Sequence, residues 1–140
     1  MTTATDDTTG ELLAESLLQD IGDDRMRAAT RLLGVHGNGY WLRRFTEDQE
    51  LSEAADQPLI DRSGTHPQID WDSVGFLLTA LDAPSTHSSA SEVAVLQFAA
   101  SLMGRCNIQL QHIIDALDHA ELQRAAHALH EAAAADSDRG

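Results

Sequence analysis

The chain contains no lysine: all nine of its basic residues are arginines, at positions 25, 27, 31, 43, 44, 62, 105, 124 and 139. That absence excludes Schiff-base chemistry on a lysine and a P-loop lysine. Cysteine occurs once, as Cys106, which excludes an internal disulfide and a multi-thiolate metal site. Arg105 beside Cys106 is a cation able to lower a thiol pKa, but the expectation is a buried structural cysteine. No apolar run approaches the roughly 18 to 20 residues of a membrane span. The N-terminus, MTTATDDTTG, lacks the positive and apolar regions of a secretory signal, so the chain reads as cytoplasmic. No HExxH, EF-hand loop or GxSxG elbow is present.

What is there in excess is negative charge. Twenty-three acids against nine arginines leave the 140 residues with a formal charge of -14, which disfavours nonspecific binding to nucleic acid or an anionic membrane. The distribution is uneven. Residues 25–45 hold five arginines and no acid, a basic island flanked by acidic stretches. An acidic surface can also imitate nucleic acid, which makes nucleic-acid mimicry one alternative.

The apolar spacing predicts an all-α, compact single-domain bundle of six or seven helices with one long loop at about 56–70 and no credible sheet. Residues 1–9 read as a disordered tail, 10–135 as the helical domain and 136–140 as a frayed end. Leu12, Leu13, Leu17, Leu18 and Ile21 predict a first helix stopped by Gly22. Asp23 or Asp24 caps a second, with Met26, Ala29, Leu32 and Leu33 on its apolar face until Gly34 interrupts it. The glycine-dense 34–39 segment is a turn, and the pattern restarting at Tyr40 runs helically to about Ala55.

In the loop, Leu59 and Ile60 are expected to reach the core. Asp70 then caps a helix that buries Trp71, Val74, Leu77, Leu78 and Leu81, and a polar linker follows from Pro84 to Ser88. Ser89 with Glu92, and Asp118 with Glu121, have capping-box spacing. The helix between Ser89 and Gly104 is apolar on two sides and should be the central buried one. Ile113, Ile114 and Leu117 suggest a short helix. The last helix is expected to bury Leu122, Ala125, Ala126, Leu129 and Ala133.

The strings GYWLRR (39–44), IDRSGTHPQIDWDSVG (60–75) and LQFAASLMG (96–104) resemble, in order and spacing, a family of small acidic actinobacterial proteins. The resemblance covers about residues 28–134. It implies a natural single-domain bacterial protein and brings no activity, cofactor or site with it.

Three groups of residues have the composition of a site. His112, Asp115 and His119 stand at i, i+3, i+7, and His127 and His130 at i, i+3, so helices would present imidazole and carboxylate metal ligands. A solvated polar face explains the same pattern, and a helix break at Asp118 separates the two sets. Gly37, Gly39, Tyr40, Trp41, Arg43 and Arg44 form a glycine turn leading into a helix with aromatics and cations, an anion or nucleotide contact in outline. The competing reading places the aromatics in the core and pairs the arginines with nearby acids such as Asp23, Asp24 or Glu47. Asp61, Ser63, His66 and Asp70 are residue types of nucleophilic catalysis, though turn and capping chemistry accounts for three of them.

No catalytic residue and no cofactor is assigned. The leading expectation is a non-catalytic helical protein that binds another protein or itself, with a homodimer about as expected as a monomer. In such a dimer the basic island would meet an acidic stretch such as Glu47 to Asp56. The alternative is a metal-dependent enzyme using the histidine-rich C-terminal helices.

Overall fold

The computed structural model describes residues 9–19, 21–80, 89–105 and 107–139, the side chains of 79, 80 and 134–139 excepted. Of the expected features, all of the tail but Thr9, Leu81, the 84–88 linker and Cys106 lie outside the described residues.

Helix α1 (Gly10–Ser16) is capped by Thr9, whose hydroxyl accepts from Leu12 N at 3.1 Å. It ends sooner than the leucine spacing predicts. Ser16 donates its hydroxyl to the Leu13 carbonyl at 2.6 Å, and Arg27 donates to the Leu18 and Ile21 carbonyls at 3.3 and 2.9 Å. Those carbonyls are satisfied without a helix, so Leu17 and Leu18 are buried from a turn, and Leu12 is left exposed.

Helix α2 (Asp24–Val35) is capped by Asp23, and Gly34 does not interrupt it. Here the glycine serves a close crossing. A Cβ on Gly34 would stand 2.7 Å from Ala14 Cβ, and one on Gly10 would stand 2.0 Å from the Gly34 carbonyl oxygen. Helix α1 therefore lies directly on the α2 backbone. A 3-10 turn (His36–Asn38) follows, with Gly37, Asn38 and Gly39 at positive φ, and the Asn38 side chain accepts from Gly10 N at 2.9 Å.

The run from Tyr40 to Ala55 is two helices, α3 (Tyr40–Glu47) and α4 (Gln49–Ala54). Asp48 separates them in an extended conformation: it caps Glu50 N at 2.9 Å and pairs with Arg44 at 2.8 Å. The expected loop is also partly ordered. Strands β1 (Ile60–Asp61) and β2 (Gln68–Ile69) pair antiparallel, Ile60 opposite Ile69, a two-residue ladder too short to show alternation in sequence. Leu59, Ile60 and Ile69 are buried, which fastens the ribbon to the core.

Asp70 accepts from Ser73 N at 3.2 Å at the start of α5 (Trp71–Ala80), with Trp71, Val74 and Leu77 buried and Phe76 exposed. Gln57 holds the loop to this helix by a hydrogen bond to Ser73 Oγ. The Ser89/Glu92 capping box opens α6 (Ala90–Leu102), which buries Ala94, Val95, Leu96, Phe98, Ala99 and Ala100. It packs against α2 and α5, as expected of a central helix.

After α7 (Leu110–Ala116), the Asp118/Glu121 box opens α8 (His119–Arg139). The inward face of α8 differs from the expected one. Ala125, Ala128 and Ala132 are buried, whereas Ala126, Leu129 and Ala133 are exposed. A row of alanines lets α8 lie close against α2, and a leucine there would hold the helices apart. Among the described residues the protein is an all-α single domain of eight α-helices with one small ribbon. The eighth arises where Asp48 divides the 40–55 stretch.

Candidate functional site

The glycine turn and basic island form a braced corner. Gly37 and Gly39 adopt the left-handed conformation that brings Tyr40 into α3. Trp41 is fully buried and donates its indole N–H to the Glu92 carbonyl at 2.7 Å, tying α3 to the start of α6. Arg44 lies over the Tyr40 and Trp41 rings at 5.8 and 5.3 Å, and its Nε and Nη2 both reach Asp48. That hydrogen bond holds the Asp48 carboxyl below its ordinary pKa. Arg43 Nε donates to the Asn38 carbonyl at 3.0 Å. Gly37, Tyr40, Arg43 and Arg44 do share a shallow cleft of about 350 Å³, but Glu47 and Asp48 line it too. Trp41 lies in the core, where it cannot stack on a ligand.

The histidine candidates are spread over two helices. His112 and Asp115 on α7, and His119, His127 and His130 on α8, are all exposed. His127 Nε2 stands 3.8 Å from Glu131 on its own helix. Among the described residues no three His, Cys, Asp or Glu side chains come together as a metal-binding group. In the loop, Asp61 accepts from the amide and hydroxyl of Ser63 at 2.9 and 2.6 Å, which depresses the Asp61 pKa. Asp70 faces Ser73, and His66 is exposed. These are a turn and a cap.

Two features of the surface were not legible in the sequence. The first is a groove of about 550 Å³ between α1, α2 and α8, with Ala14, Leu32, Val35 and Ala128 among its lining residues. Arg31 crosses it, joining Glu15 of α1 at 3.0 Å to Glu131 of α8 at 2.9 Å. The partners lie 16 and 100 residues away along the chain, so no local spacing announces them. His36, which follows the lining residue Val35, is 5% exposed, with Nδ1 3.9 Å from Glu121. Burial pushes its pKa below the ordinary value and Arg124 acts in the same direction, against Glu121, Glu92 and Asp118.

The second is the outer face of α7. Leu110 and Ile114 are 64% and 56% exposed and, four residues apart, stand one above the other on the helix. Leu129 of α8, 52% exposed, is a third large apolar side chain in the C-terminal part of the chain. The main contact of α7 is with α6, through its Ile113 side.

No helix of the described residues is long and apolar enough to cross a membrane. Compared with models of protein families, with curated proteins and with solved structures, the chain matches none.

Proposed function

We propose that the protein is a non-catalytic binding protein whose contact surface is the outer face of α7, and that a second copy of the chain is its partner. The observation that supports this is the exposure of Leu110 and Ile114 on a helix whose other side is committed to α6. A domain of this size with a core of leucine and alanine gains by covering such a pair, and a two-fold axis lets one helix face cover its own copy.

The arginine island is a weaker basis for assembly than its charge suggests. Arg31 and Arg44 are paired with Glu15, Glu131 and Asp48, and Arg27 is occupied by carbonyl oxygens. Association through α7 is therefore an apolar contact, and it should persist as salt rises. Light scattering over a range of protein and salt concentrations tests this. The expected result is a reversible shift to twice the 15.2 kDa chain mass that added salt does not abolish. A chain-mass species at every concentration contradicts it.

A further inference from the structure

We infer that the groove between α1, α2 and α8 is a binding site for a small apolar monocarboxylate, its hydrocarbon part on the Ala14, Leu32, Val35 and Ala128 floor and its carboxylate on Arg124. The site is separate from the proposed contact surface. No described residue of α7 lines the groove, whose walls come from α1, α2 and α8.

About 550 Å³ falls within the roughly 300 to 1,000 Å³ of small-molecule sites, and the apolar floor with a few polar groups at its edge is their usual make-up.

The charges then select the ligand. Five charged residues line the groove: Glu11, Glu15, Arg31, Arg124 and Glu131. Arg31 is held by two carboxylates, and Glu15 and Glu131 are satisfied by it. That leaves Glu11 and Arg124. Glu11 is accounted for by the fold, since it stands in the first turn of α1, where a negative charge meets the helix N-terminus favourably. Arg124 has no such account. It stands near the N-terminal end of α8, and it makes no hydrogen bond or ion pair among the described residues. It also disfavours a proton on the neighbouring buried His36. An exposed guanidinium at the edge of an apolar groove is a ready partner for a planar carboxylate, and His127, three residues on, adds a second donor. The acids elsewhere on the chain oppose an anion only weakly beyond a screening length of about 8 Å at physiological ionic strength.

Calorimetric titration with decanoate, decanol and decylamine, the ions below their micelle concentrations and the alcohol below its solubility, tests the inference on the full chain. One saturable decanoate site is expected, with decylamine weaker. Arg124→Gln should weaken decanoate about tenfold and leave decanol unchanged. Ala120→Trp, at an exposed position lining the groove, should abolish both with the helical signal intact, and Gln123→Trp serves if that variant does not fold. The inference is overturned by an absence of saturable decanoate binding, by tighter binding of decylamine, by equal losses for decanoate and decanol in Arg124→Gln, or by undiminished binding in the folded tryptophan variant.

Discussion

The Nδ1 of His36 stands 3.9 Å from Glu121 Oε2, so the turn that ends α2 meets the first turn of α8 through a buried imidazole and a carboxylate. Its Nε2 is buried with no hydrogen-bond partner among the described residues, which makes the neutral ring the form the fold accommodates.

The pH dependence of stability follows from this. With its native pKa pushed below the ordinary histidine value of about 6.5, His36 takes up a proton in the unfolded chain before it does in the folded one. Stability is therefore full above that value and falls as pH drops below it, by at most about 1.4 kcal/mol per pH unit. Thermal melts between pH 8 and pH 5 should show the loss, and His36→Leu should flatten it. An unchanged slope in that variant would place the titration elsewhere.

The glycine crossing sets a second expectation. In an exposed helix, Gly→Ala is stabilising by about 1 kcal/mol. At Gly34 the added Cβ meets Ala14 and Gly10, and the substitution should instead destabilise by about 1 to 3 kcal/mol. Gly22→Ala meets nothing within 4 Å and should stay within about 0.5 kcal/mol of the parent in urea titrations.

The two tryptophans should respond differently to one substitution. Both are buried, but Trp41 donates to the Glu92 carbonyl while the Trp71 indole N–H has no partner among the described residues. Trp41→Phe should cost about 1 kcal/mol more than Trp71→Phe, since only the first loses a hydrogen bond. Trp71→Ala should cost about 3 to 5 kcal/mol by emptying a site in the core. Equal losses in the two phenylalanine variants would contradict the assignment of the Trp41 bond.

Arg31 illustrates why stability and architecture are separate matters. Its side chain is 35% exposed, and solvent screening limits each of its ion pairs to about 1 kcal/mol or less. A double-mutant cycle with Arg31→Gln and Glu131→Gln should return a coupling of that size, shrinking as salt is added. A coupling that ignores salt would mean the pair is buried in solution.

The sequence was most informative where the signal is local. The capping boxes at Ser89/Glu92 and Asp118/Glu121, and the caps at Asp23 and Asp70, involve partners within three residues, and each is formed in the structure. Phase failed in α8, because an alanine-rich helix offers two faces of similar hydropathy and the choice of Ala128 over Leu129 is made by α2. The ribbon at Ile60 and Ile69 and the break at Asp48 depend on pairings that periodicity cannot register. The groove was illegible for the same reason: Arg31, Glu15 and Glu131 come from three helices. Trp41 is core, the arginines of the corner are braced, and the histidines lie outside any cluster of three metal ligands among the described residues.

A photo-crosslinking side chain installed at position 114 reports whether α7 is the contact surface. In the purified protein, irradiation should yield a covalent species of twice the 15.2 kDa chain mass, and Leu110→Gln in the same chain should suppress it. The same group placed at Phe76, also exposed but on α5, should yield none. Crosslinking from position 76 with none from position 114 would place the contact surface on α5 and not on α7.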